Sequence, residues 1–198
     1  MHRKRTDASM IRRLSVFDLD EFERHLLRLD PESRRLRFGG VVSDEFLHTY
    51  AQSATRWDVV IYGCFTDGSL RAASELRPIQ ARGGRQAELA FSVEKAWRGR
   101  GIGGQLFQRI MRAARNRGYR QLYMSCLAEN HAMQCLARKF AAAISFERGG
   151  SVGVVDPGSR SPVSLLAEAT DEATAFAFAT IQLPGWRLPG LFGARPVK

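Results

Sequence analysis

Glu88 is the side chain most out of keeping with its neighbours. It is the acid in the run Ala87-Glu88-Leu89-Ala90-Phe91, ten residues ahead of Arg98. A carboxylate inside an apolar strand is desolvated, which raises its pKa toward a range where it can take a proton from a reacting group. The alternative is a strand-edge glutamate facing water. Glu75, on the preceding strand, is a second candidate base. A second group follows: Arg98-Gly99-Arg100-Gly101-Ile102-Gly103-Gly104, leading into Gln105-Leu106-Phe107. Glycines let a backbone turn tightly and approach a ligand. The amides of a first helical turn have no intrahelical partner, and the helix dipole and two arginines add positive charge there. Such a loop can cradle a phosphate or pyrophosphate.

Other readings of the glycines differ in what they require. A dinucleotide fingerprint needs a strand directly before it and an acid about 20 residues on. Glu129 is too distant for that. A P-loop needs Gly-Lys-Ser/Thr, which does not follow. An ordinary strand-to-helix turn stays open. Asn130, after the apolar run Leu122–Leu127, is placed to cap a helix beginning at His131.

The elements that must hold these residues can be read from hydrophobic periodicity. Met10–Leu14 reads as a first strand. Phe17, Leu19, Phe22, Leu26, Leu27 and Leu29 recur near helical spacing. Asp30-Pro31 closes that helix. The basic segment Arg34-Arg35-Leu36-Arg37-Phe38 ends at Gly39-Gly40 and could wall an acceptor site. Ser43 opens a helix to about Ala54. Trp57–Phe65 and Leu70–Arg77 read as strands joined at Asp67-Gly68, a strong hairpin signal; Pro78 ends the second. Arg82-Gly83-Gly84 turns into a strand from Gln86 to Val93. A helix over Gly103–Arg117 carries Leu106, Ile110 and Ala113 on one stripe, with Gly118 as its C-terminal cap and its arginines on a solvated face. Leu122–Leu127 completes a right-handed strand–helix–strand unit. A hairpin over Ala142–Val155 turns at Gly149-Gly150. Asp156-Pro157-Gly158-Ser159 is linker-like, Ser164–Ile181 is helical, and the tail from Leu183 is irregular. The reading is therefore a flexible segment over residues 1–9, one domain over 10–156 and a partly helical extension over 157–198.

With 198 residues and a hydrophobic fraction of 44%, the chain can bury one core. Its net charge of +10 fits steering of an anionic ligand. Nucleic acid is not expected, because no basic strand face interleaves aromatics. Cys64, Cys126 and Cys135 form no Cys-x-x-Cys pair, as expected for reduced thiols in the cytoplasm. The four histidines show no zinc spacing, and no metal is expected. No apolar run of about 18 residues suggests a membrane span.

Arg98-x-x-Gly101-x-Gly103, the upstream Ala87-Glu88-Leu89-Ala90-Phe91 and the downstream Asn130 together resemble the GCN5-related N-acetyltransferase (GNAT) family, over about Met10 to Val155. In look they are similar to bacterial protein acetyltransferase domains of that family. The resemblance implies an α/β (α+β) fold with a mixed, mostly antiparallel central sheet flanked by helices. It implies acetyl-CoA as co-substrate and a primary amine, protein lysine or small molecule, as acceptor, joined by direct attack in a ternary complex. On this resemblance Glu88 is the base. Phe91 and Val93 pair with the pantetheine arm, Arg98, Gly99, Arg100, Gly101, Ile102, Gly103 and Gly104 hold the pyrophosphate, and Asn130 lies near the pantetheine. The chain departs from the family at Ala137, where many members carry a tyrosine that protonates the leaving thiolate. Tyr123 or water would then substitute, or the thiolate leaves unprotonated. A domain that holds acyl-CoA as a sensor without turnover is the alternative, and a homodimer is compatible with either.

Overall fold

The computed structural model describes residues 9–80, 84–140, 143–147 and 150–181. Its strands are β1 Met10–Arg13, β2 Val60–Thr66, β3 Ser69–Ile79, β4 Gln86–Val93, β5 Gln121–Leu127, β6 Ala143–Glu147 and β7 Gly150–Val155. They form one seven-stranded sheet in the order β1-β2-β3-β4-β5-β7-β6. Every neighbouring pair is antiparallel except β4 with β5. The helices are α1 Leu19–Arg28, α2 Pro31–Phe38, α3 Asp44–Gln52, α4 Ile102–Asn116, α5 His131–Lys139 and α6 Pro162–Ile181. The mixed, mostly antiparallel sheet flanked by helices is thus the architecture expected from the sequence.

Both faces of the central strands are buried, so β2 reads as a continuous buried run rather than an alternating one. On one face α4 lays Leu106, Phe107, Ile110, Ala113 and Ala114 against Tyr62, Ala72 and Leu89. On the other, Phe22 and Leu26 of α1 and Leu47 and Ala51 of α3 cover Ile61, Leu70 and Ala73. Each fully buried Leu or Phe contributes about 1.5–3 kcal/mol. The β2–β3 hairpin turns on Asp67 (φ 50°) and Gly68 (φ 76°). Both left-handed central residues are what a two-residue primed turn demands.

Several elements depart from the sequence reading. The basic run Arg34–Phe38, given no helix in the sequence reading, is most of α2. Asp30 caps this helix, its side chain accepting from the Ser33 amide at 3.0 Å, and Pro31 is its first residue. Asp-Pro therefore opens a helix as well as closing one. Strand β2 begins at Val60, not Trp57, and β3 continues through Pro78 to Ile79. The arginines of α4 are not a solvated face: Arg109 and Arg112 meet Asp171, Arg117 meets Glu168, and Arg115 Nε donates to Pro157 O at 2.6 Å. Through these contacts, and Arg13 with Glu172 on β1, α6 is seated on the sheet domain. The terminal segment over residues 1–8, the turn residues Arg82 and Gly83, the hairpin residue Gly149 and the tail from Leu183 lie outside the described residues. No described helix is long and apolar enough to cross a membrane.

Candidate active site

The sheet splits between its two parallel strands. Pairing of β4 with β5 runs only over Gln86–Gln121, Ala87–Leu122 and Glu88–Tyr123. Beyond Glu88, β4 stays paired to β3 as far as Val93, while β5 stays paired to β7 as far as Leu127. The orientation of the free backbone follows from strand alternation. Glu94 N donates to Arg71 O at 3.0 Å on the β3 side, and Arg120 N donates to Arg85 O at 2.9 Å on the β5 side. Amides and carbonyls of Phe91 and Val93 therefore face the gap. Their side chains pack beside α4, with the Phe91 ring stacked on Phe107 at 5.6 Å.

Above the gap, α4 begins at the glycine loop. Gly99 and Gly101 have φ of 74° and 76°, and no atom lies within 4 Å of where a Cβ would stand on either. The left-handed backbone and the open space are properties of these two positions, whereas Gly103 and Gly104 have neither demand. Helices α2, α3 and α5 each carry a side chain that accepts a hydrogen bond from their first turn. Helix α4 carries none. Its first intrahelical bond runs from Gln105 N to Gly101 O at 3.2 Å, so the amides of residues 102–104 have no partner within the helix. Gly101, Ile102 and Gly103 turn this end toward a cavity of about 230 Å³. The two arginines are less free than their charge suggests. Arg98 spans from Val93 O (3.2 Å) to Ser33 Oγ (2.7 Å), tying the loop to α2. Arg100 donates to Ala96 O and lies over the Trp97 ring.

Of the residues singled out from sequence as cofactor-binding, Phe91, Val93, Arg98, Gly99, Gly101, Ile102, Gly103 and Asn130 line this one cavity. Arg100 and Gly104 do not reach its wall. The donor set suits a coenzyme A: uncapped helix amides with an open approach at one end, and unpaired strand edges running away from them. Asn130 has two duties. Its Oδ1 accepts from Met133 N at 3.1 Å as the α5 cap, and its Nδ2 donates to Leu36 O of α2 at 3.3 Å.

A second cavity, of about 460 Å³, continues past Leu36 and Arg37 on the other side of the split. Glu88, Tyr50, Arg77, Ser125, Cys126 and Ser151 help to line it. Here the sequence reading needs correction. Glu88 is exposed rather than desolvated, because strand alternation turns it away from the apolar side chains that flank it in sequence. Glu75 is the buried acid. Its Oε1 accepts from Arg37 (2.6 Å), and its Oε2 accepts from the Tyr50 hydroxyl (2.8 Å) and Arg77 Nε (2.8 Å). Burial alone would raise the pKa of Glu75, but Arg37 and Arg77 outweigh that and lower it. Arg77 sits opposite Glu88 in the β3–β4 register, yet its guanidinium is committed to Glu75 and Ser53. Among the described residues Glu88 has no hydrogen-bond or ion-pair partner.

Ala137, which the resemblance sets at the family's tyrosine position, has no ionisable group and is 4% exposed and packed into the core. Tyr123 is turned away as well: its hydroxyl donates to Gln121 Oε1 at 3.1 Å, at the closed end of the split. Sequence reasoning missed one group, the line His25–Ser92 with Glu94, and also missed Arg37 and Tyr50 as partners of Glu75. No spacing rule could have joined residues so distant in the chain.

Residues 23–142 match the Acetyltransferase (GNAT) family. Acetyltransferase PA5475 of Pseudomonas aeruginosa is 26% identical over 161 residues, covering 78% of this chain and 80% of that protein. Among solved structures, the GNAT domain of PAT from S. lividans aligns with a TM-score of 0.64 at 25% identity, covering 75% of this chain and 90% of that one. An N-acetyltransferase from Staphylococcus aureus aligns at 0.58 with 19% identity, covering 76% and 99%. A ribosomal L7/L12 α-N-protein acetyltransferase in complex with coenzyme A aligns at 0.56 with 16% identity, covering 75% and 93%. The last two carry the fold alone; with the family match over most of the sheet domain, the chain belongs to the Acetyltransferase (GNAT) family.

Proposed function

We propose that the protein transfers an acetyl group from acetyl-CoA to a primary amine, a protein lysine or a small molecule, in a ternary complex. The observation that carries this reading is the split itself. Uncapped amides of α4 stand at one end, the backbone of Phe91 and Val93 that β5 leaves unpaired runs along it, with Val93 O held by Arg98, and an unpartnered carboxylate, Glu88, stands beyond. Acetyl-CoA supplies an activated acyl thioester. The chain's residues do the rest. The loop and first turn of α4 bind the pyrophosphate by fixed dipoles that need no reorganisation. Phe91 and Val93 hold the arm as an added strand edge. Glu88 takes a proton from the incoming ammonium, directly or through water. Water access to Glu88 suits the second route. The three cysteines are free, which supports the cytoplasm as the site of action.

Two experiments test this. Acetyl-CoA is incubated with amines, polyamines and lysine peptides, and free thiol is read out. Amine-dependent thiol release is expected; tight acetyl-CoA binding with no release for any amine would favour the sensor. For the loop, Gly103→Asp is the sharper variant. Its backbone needs no left-handed φ, the nearest atom to a new Cβ is Leu136 Cδ2 at 3.9 Å, and an acid in a first helical turn is favourable to the helix. Stability should hold while acetyl-CoA affinity, by calorimetry, falls at least about tenfold. Unchanged affinity would remove the loop from the site.

A further inference from the structure

His25, Ser92 and Glu94 form a hydrogen-bonded line that the reaction as described leaves unused. His25 of α1 is fully buried. Its Nε2 lies 2.9 Å from Ser92 Oγ, and its Nδ1 lies 3.2 Å from Glu94 Oε1. The charged groups around it come from three elements. Glu94 follows β4. Arg28 of α1 donates to Glu94 Oε1 at 2.9 Å, and Arg71 of β3 donates to Oε2 at 3.1 Å. Glu21 of α1 accepts from Arg28 at 3.0 Å. Burial alone would raise the Glu94 pKa, but the contacts from His25 and Arg28 outweigh it and hold the carboxyl at about 2. Glu94 is therefore an acceptor, and Nδ1 of His25 must carry the hydrogen. In the neutral ring Nε2 then accepts from Ser92. In the imidazolium Nε2 donates to Ser92 and frees the serine's own proton for the cavity. Ser92 is only 5% exposed and is among the residues that line the cofactor cavity.

A proton at sulfur eases the breaking of a thioester, and most hydroxyls near the split are engaged or lie outside the cofactor cavity: Ser125 and Ser151 line the second cavity, Ser151 beside Cys126 Sγ at 3.1 Å. Ala137 offers none, and Tyr123 is turned to Gln121. Tyr50 donates to Glu75, and burial pushes its phenol up. Ser33 donates to the Asp30 carboxylate. Of the hydroxyls lining the cofactor cavity, Ser92 is the one joined to an imidazole. Ser92 and Glu88 project from the same face of β4, four residues or about 13 Å of strand apart, so an acid and a base can flank one reacting carbon.

We propose that Ser92, backed by His25 and Glu94, protonates the departing sulfur of coenzyme A; this rests on the acetyl-transfer reading above. The amine nitrogen bonds to the acetyl carbon, the carbon–sulfur bond breaks, and its electron pair goes to sulfur. Ser92 Oγ gives sulfur its proton, and His25 Nε2–H replaces it. The ring is left in the neutral Nδ1–H form that Glu94 holds. The ammonium nitrogen loses two protons in all: one matches the proton placed on sulfur, and the other is released. Because His25 is sealed from solvent, it reloads through Ser92 from water once the product leaves. Ser92 is the catalytic residue, and His25 is a relay behind it.

The test begins without an acceptor. Bound coenzyme A is titrated by its thiolate ultraviolet absorbance in the wild type, Ser92→Ala and His25→Gln. In the wild type the thiol can pass its proton to His25 through Ser92, so it should ionise at lower pH than in either variant. In turnover, Ser92→Ala should lower kcat about a hundredfold and leave KM for acetyl-CoA within about twofold. An identical thiolate titration in Ser92→Ala, or a loss confined to KM, overturns the proposal and leaves His25 a tether between α1 and β4. If His25→Gln does not fold, Ser92→Ala decides alone. If the wild type releases no thiol with any amine while the thiolate titrations still differ, acetyl transfer fails and the contact of Ser92 with sulfur stands.

Discussion

Glu75 and Glu88 lie on neighbouring strands and project from the same face of the sheet, yet they have opposite fates. Glu75 is fully buried and meets two guanidiniums and a phenol. Glu88 is exposed and meets no protein partner among the described residues, although Arg77 stands opposite it in register. One carboxylate has its lone pairs committed to the fold, while the other keeps them for a ligand. A buried acid is not by that fact a reactive one. The two arginines that make its burial tolerable also hold it ionised and occupied, which suits an anchor better than a base.

The largest effect that would sharpen this contrast is on stability. Glu75→Gln leaves Arg37 and Arg77 buried beside a neutral amide. Removing one partner of a buried ion pair costs about 3–5 kcal/mol, so the midpoint of denaturant unfolding should drop sharply. The pH dependence has a definite sign. Glu75 has a lowered pKa in the fold, so its contribution is present above the unfolded value near 4.5 and is lost as pH falls below it. The wild type should lose stability over that acid range, and Glu75→Gln should lose less. A variant with unchanged stability would make Glu75 a dispensable charge and reopen it as the base.

The converse experiment is Glu88→Gln. Its side chain is exposed and unpartnered, so unfolding should shift by less than about 0.5 kcal/mol. Amine acetylation should fall by about 10²-fold or more, equivalent to at least about 2.7 kcal/mol in the barrier. Acetyl-CoA affinity should hold, because Glu88 is absent from the cofactor cavity. Near-normal turnover in a folded Glu88→Gln would break the contrast: the amine would then arrive neutral, with the protein acting by positioning.

What the sequence made legible follows from range. The α4 loop, the Asp67-Gly68 hairpin and the strand–helix–strand unit are local, and each rests on residues a few positions apart. Five of the eight cavity-lining residues, Arg98, Gly99, Gly101, Ile102 and Gly103, are legible because loop and helix are consecutive, and Phe91, Val93 and Asn130 come from the resemblance. The environment of Glu88 was misread because its apolar neighbours in sequence, Ala87 and Leu89, point to the opposite face. Helix α2 was missed because Asp30-Pro31 was read as a stop alone. The partners of Glu75 come from α2, α3 and β3, and His25 reaches Ser92 across 67 residues. Pairings at that range are fixed by packing the two layers together, which no spacing along the chain encodes.

Asn130 stands between the two carboxylates in kind, since it serves the fold and lines the cavity at once. Its Oδ1 satisfies the Met133 amide and its Nδ2 reaches Leu36 O on α2, so one atom caps while the other tethers. Two substitutions separate these duties. Asn130→Ala removes both, and loss of such a cap costs about 1 kcal/mol. Asn130→Asp keeps an acceptor for Met133 N, and its charge suits a helix start, so stability should return to near the wild-type value. The donor to Leu36 O is not restored, and a carboxylate now faces that carbonyl and a cavity proposed to hold an anionic coenzyme. Acetyl-CoA affinity should therefore stay below wild type in Asn130→Asp even where the unfolding midpoint recovers. If affinity returns with stability, Asn130 is a cap alone, and the cavity end of α5 contributes shape without a contact. If neither returns, the α2 tether outweighs the cap, and α2 is held over the split chiefly through this one side chain.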